Sequence, residues 1–100
     1  MKGFMAEVYA PAALDVMALA ALVRSAAREL RRQGTSIRYL RATLVPEDQT
    51  CLLLFEAPTS GAVEEVSRRA GLVVTRVVEA VEPGEGGSGT RVAGSEKKRG

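Results

Sequence analysis

The chain has 100 residues, 46% of them hydrophobic, which suits one small domain with a modest core. Its formal net charge is +2 and it contains no histidine, so neither imidazole catalysis nor imidazole metal ligation is open to it. Two Tyr, two Phe and no Trp leave Leu, Val and Ala to fill the interior.

The charge is unevenly placed. Residues 1–82 hold ten basic side chains (Lys2, Arg24, Arg28, Arg31, Arg32, Arg38, Arg41, Arg68, Arg69, Arg76) against ten acids, a formal charge of zero. The excess comes from the last eighteen residues, where Arg91, Lys97, Lys98 and Arg99 outnumber Glu85 and Glu96. A neutral folded part argues against nucleic acid as its main partner. No apolar run reaches the roughly 18 residues of a membrane span. The stretch 18–23 is Ala-rich but follows Asp15 and runs into Arg24, unlike a signal-peptide core. A single cysteine, Cys51, excludes an internal disulfide. That fits a reducing, cytoplasmic setting, and Cys51 among leucines reads as a small buried hydrophobe.

Residues 3–9 alternate and read as a first strand, with Phe4, Ala6 and Val8 inward. Pro11 interrupts it, and Asp15 is placed to cap a helix. From there Leu19, Leu22, Val23, Ala26 and Leu30 recur at helical spacing on one arc. Arg24, Arg28, Arg31 and Arg32 take the opposite arc, read as a solvated face, until Gly34 stops the helix. Residues 36–45 and 50–57 read as strands joined by a turn at residues 46–49. Thr59 or Ser60 caps a second helix with Val63, Val66 and Ala70 inward and Gly71 as its stop. Glu64 with Arg68 and Glu65 with Arg69 stand at pairing distance along it. Residues 73–81 form a Val-rich last strand, whose faces the pattern leaves unassigned. Residues 83–100, rich in Gly, Ser and charge, read as a disordered tail.

The order β-α-β-β-α-β implies an α+β, ferredoxin-like sandwich over residues 1–82: a four-stranded antiparallel sheet with both helices on one face. If Val45 opposes Thr50, then Leu40, Ala42, Leu44, Cys51, Leu53 and Phe55 lie under the helices. Tyr39, Arg41, Thr43, Leu52, Leu54 and Glu56 then lie on the open face, with Tyr39 opposite Glu56 and Arg41 diagonal to it. Met5, Glu7 and Tyr9 join them from the first strand. Glu7, Tyr9, Tyr39, Arg41 and Glu56 therefore form the candidate ligand-binding cluster. The same surface suits a homodimer interface, with Leu52, Leu54 and Tyr39 as an apolar patch.

Four segments in this order, Phe4-Met5 followed by an acid, Ile37-Arg38-Tyr39-Leu40, Leu54-Phe55-Glu56-Ala57-Pro58 and Arg68-Arg69-Ala70-Gly71-Leu72, carry a resemblance. The chain resembles a small bacterial ferredoxin-like family of unknown function, some of whose members are described as nickel-binding proteins. The resemblance covers most of residues 3–81 and implies a dimeric α+β protein and, in some relatives, a bound metal. Histidine-bearing relatives tend to have imidazole near the positions of Val8, Arg41 and Ser67. Nickel prefers imidazole, so this chain is expected to need no cofactor and to hold no tight nickel or zinc site.

The reading is of a small dimeric binding module with no catalytic residues, its partner a small molecule or a protein. The alternatives are an enzyme working on the open face, by fold analogy to monooxygenases and isomerases, and a metal-binding protein.

Overall fold

The computed structural model describes residues 1–81; the expectations for Glu82 and for a disordered tail at 83–100 lie outside these residues. The elements follow in the expected order: β1 (Lys2–Tyr9), α1 (Val16–Arg32), β2 (Arg38–Val45), a single 3-10 turn (Pro46–Asp48), β3 (Thr50–Ala57), α2 (Ser60–Arg69) and β4 (Val74–Glu79). All neighbours are antiparallel, in the spatial order β2-β3-β1-β4. This is the ferredoxin-like sandwich, with α1 and α2 on one sheet face.

Both helices begin and end as their sequences dictate. Asp15 accepts a hydrogen bond from the Met17 amide at 2.9 Å, and Thr59 Oγ1 accepts one from Ala62 at 3.2 Å. Each such cap is worth about 1 kcal/mol. At the other ends Thr35 donates to Leu30 and Leu72 to Ser67, both at 3.0 Å, with Gly34 and Gly71 at positive φ between them. These paired bonds satisfy carbonyls that a helix end otherwise leaves bare.

The core lies between helices and sheet. β3 alternates without a break: Cys51, Leu53, Phe55 and Ala57 are buried and the residues between them half-buried. Phe4, Ala6 and Val8 of β1 join them, with Leu19, Val23, Ala26, Ala27 and Leu30 from α1 and Val63 and Val66 from α2. Ile37, just before β2, is also fully buried. Leu22, expected on the buried arc of α1, is instead 54% exposed. A residue three after Leu19 falls behind the stripe that Val23, Ala27 and Leu30 extend.

The largest departure from expectation is in β2. Val45 does oppose Thr50, and the register runs as expected back to Arg41, which opposes Leu54. There a bulge intervenes. Tyr39 opposes Phe55 and Arg38 opposes Glu56, leaving Leu40 as the extra residue. A bulge of one residue exchanges the faces of the side chains beyond it. Leu40, expected in the core, is therefore 39% exposed on the open side, and Tyr39, expected on the open face, packs toward the helices.

β4 receives the faces that its sequence left open. Val77 pairs with Ala6 and packs on the core, while Val78 pairs with Met5 and Arg76 with Glu7 on the open face. Here too a bulge interrupts the pairing, between Glu7 and Val8.

Candidate functional site

The open face is built from alternate residues of four strands. Met5, Leu52, Leu54 and Val78 make a half-buried apolar centre. Two ion pairs flank it. Arg76 Nε donates to Glu7 Oε1 at 2.9 Å, and Arg38 Nη1 donates to Glu56 Oε1 at 3.0 Å. Both carboxylates thus already serve a guanidinium.

Of the five expected cluster residues, Glu7, Arg41 and Glu56 fall on this face. Arg41 lies beside Leu54, and Glu56 pairs with Arg38, which the bulge brings opposite it. Tyr9 ends β1 opposite Thr50 and is 48% exposed, its amide donating to the Val73 carbonyl at 2.9 Å. Tyr39 leaves the cluster. Its ring meets Phe55 edge-on, and the Arg24 guanidinium of α1 stands 6.0 Å from its centroid on the helix side. Burial raises the Tyr39 pKa above the usual tyrosine range, with Arg24 pulling against it.

Leu40, Gly3 and Ala80 enter in its place. With Leu54, Phe55 and Glu56 they line a hollow of about 180 Å³. At its edge the chain passes close to Gly3: a Cβ there would stand 2.6 Å from the Ala80 carbonyl oxygen. A glycine in a strand marks such a close approach, but the bulge that turns Leu40 outward had no signature. A second, wider cleft of about 510 Å³ lies where α1 ends and α2 begins, lined by Leu30, Thr35, Ser36, Pro58, Thr59 and Glu65, among others. Its one ionisable group, Glu65, bonds to both Arg68 and Arg69, the latter at 2.7 Å. Those bonds hold its carboxyl at about 2. Arg68 therefore turns to Glu65 rather than to the expected Glu64.

Cys51 is fully buried on the helix side, and burial raises its thiol. No helix among the described residues is long and apolar enough to cross a membrane.

Residues 4–80 match the family model described as nickel responsive protein SCO4226-like. The chain belongs to this family. Among solved structures, that of SCO4226 from Streptomyces coelicolor A3(2) superposes with a TM-score of 0.64 at 21% identity, over 82% of this chain and 99% of that one. At that identity the likeness speaks for the fold. No curated protein matches the chain.

The family's description raises the question of nickel, and the donor chemistry of this member does not fit it. Val8 is buried in the core, Ser67 is buried with its hydroxyl donating to the Val63 carbonyl at 3.0 Å, and Arg41 is a cation on the other sheet face. Among the described residues no group of three Cys, Asp or Glu is arranged to hold a metal. The open-face carboxylates are occupied by arginine, and hard oxygen donors alone suit nickel poorly.

Proposed function

We propose that this protein is a non-catalytic binding module that works as a homodimer, its open sheet face buried against that of a second copy. The observation that supports this is the half-buried apolar centre of Met5, Leu52, Leu54 and Val78, bordered by the Glu7–Arg76 and Glu56–Arg38 pairs. An apolar middle with a polar rim is the anatomy of an interface. A domain this small also gains from burying its second sheet face.

The hollow beside Leu40 favours an interface over a ligand pocket. Its volume of about 180 Å³ falls below the roughly 300–1,000 Å³ of sites that enclose a drug-sized ligand. It accommodates a single side chain of the facing copy or a small apolar group. Glu7, Tyr9, Arg41 and Glu56 then act as rim residues that fix orientation, and Tyr39 supports them from beneath. An enzymatic role has less support, since there is no histidine and both open-face acids hold an arginine.

Two variants test the reading by light scattering. Leu54→Glu places a charge at the interface centre and should yield monomers or aggregates. Leu22→Glu, on the exposed outer side of α1, should leave the dimer intact. Dissociation by the second variant alone would move the interface to the helix and end the open-face reading.

A further inference from the structure

Tyr9 is the most exposed of the four aromatic residues. On β1 it follows Gly3, Met5 and Glu7 in strict alternation, so its ring stands at one end of the open face. The hollow lies at the other end, between Gly3 on β1, Leu54 and Glu56 on β3, Leu40 on β2 and Ala80 just past β4. The six steps along β1 from Gly3 to Tyr9 span about 20 Å. Midway between them is Ala6, paired with Leu53 and Val77. That point is also the middle of the apolar centre. Met5, Leu54 and Val78 lie one step to one side of it, and Leu52 one step to the other.

This placement constrains how two copies face each other. A twofold axis along the strands would set hollow end against hollow end, with Glu56 nearing Glu56 and both recesses empty. An axis across the strands at Ala6 lays apolar centre on apolar centre and reverses the strands. Tyr9 of each copy then stands over Gly3 of the other. Stacked sheets lie about 10 Å apart, a gap that a tyrosine entering a recess can cross. We propose that the Tyr9 ring of each copy fills the hollow of the other, packing on Leu40 and Leu54 where Gly3 offers no side chain. A buried tyrosine hydroxyl takes a hydrogen-bond partner. Glu56 supplies it: Oε1 is held by Arg38, and Oε2 accepts from the hydroxyl. Leu40, turned outward by the bulge, thus becomes one wall of a site that a single chain leaves incomplete. The proposal rests on the open-face dimer and adds to it the direction of the strands and the residue that each copy lends the other.

The test uses the full chain in sedimentation equilibrium. Tyr9→Ala should raise the dimer dissociation constant at least about a hundredfold, because one substitution removes two rings. Circular dichroism of that variant should be unchanged. Tyr9→Phe keeps both rings and should raise the constant about tenfold. Cross-linking reads the direction, at concentrations where sedimentation shows the variant dimeric. In Tyr9→Cys/Leu40→Cys a short bismaleimide should join positions 9 and 40 of different chains, with the native Cys51 buried and silent. Tyr9→Cys alone should stay unlinked, its two copies lying about 20 Å apart. A dissociation constant unmoved by Tyr9→Ala, Tyr9→Cys linking to itself, or no link between positions 9 and 40 would each overturn the proposal and leave the open-face dimer standing. A single-chain mass for the unmutated protein would remove both.

Discussion

The ring of Tyr39 meets that of Phe55 edge-on, with centroids 5.9 Å apart and planes at 62°, on the helix side of the sheet. That contact is possible only because one extra residue, Leu40, is accommodated in β2. It decides which of two adjacent side chains belongs to the core and which to the open surface.

The energetic consequence is a large asymmetry between neighbours in space. Phe55 is fully buried and touches both the core and Tyr39, so Phe55→Ala should cost roughly 3–5 kcal/mol. Leu40→Ala, at a 39% exposed position, should cost under about 1 kcal/mol in the isolated monomer. Urea unfolding of both variants measures this. A Leu40 loss as large as that of Phe55 would place Leu40 in the core and remove the bulge.

Tyr39 offers a spectroscopic check of the same geometry. Burial disfavours its phenolate, so its folded pKa stands above the unfolded value of about 10. The associated stability is fully present below that unfolded value and is lost as pH rises through the folded one. In Tyr9→Phe, Tyr39 is the remaining tyrosine, and its phenolate absorbance should titrate above the ordinary range. Arg24→Gln, which removes the opposing cation, should raise the midpoint further. Titration at or below the ordinary value would put Tyr39 in water on the open face.

Glycine 3 is expected to resist substitution. A methyl group there meets the Ala80 carbonyl oxygen at 2.6 Å, in a segment whose amide also donates to the Gly3 carbonyl at 2.8 Å. Gly3→Ala should destabilise by about 1–3 kcal/mol as the end of β4 is pushed away. Gly61→Ala, where a Cβ would meet only Thr59 Oγ1 at 3.8 Å, should be neutral or mildly stabilising. Thermal unfolding of the two variants separates them. Equal midpoints would show that β4 yields freely.

Metal binding is testable by calorimetry on tag-free protein at neutral pH. With no imidazole in the chain, a buried thiol and arginine-bound carboxylates, nickel should give no stoichiometric binding at micromolar affinity. Tight binding lost in Glu7→Gln/Glu56→Gln would restore a metal site on the open face.

Much of this architecture was legible because the pattern and the packing agree. In β3 strict alternation and strict burial coincide, and both helices carry their caps and glycine stops in the sequence. The site was less legible. Tyr39 and Leu40 are both compatible with either face, so alternation continues smoothly through a position where the backbone does not. What selects the bulge is tertiary: Phe55 across the strand and Arg24 on a helix distant in sequence hold the Tyr39 ring. The Glu7–Arg76 pair joins residues 69 apart, and no local spacing announces it.

The measurement that bears most directly on the account is the solution mass of the unmutated chain. Sedimentation equilibrium across micromolar concentrations should return twice the chain mass, because the proposed dimer covers the apolar centre around Leu54 with a second copy. A single-chain mass throughout that range would contradict the open-face dimer and leave that surface without its proposed role.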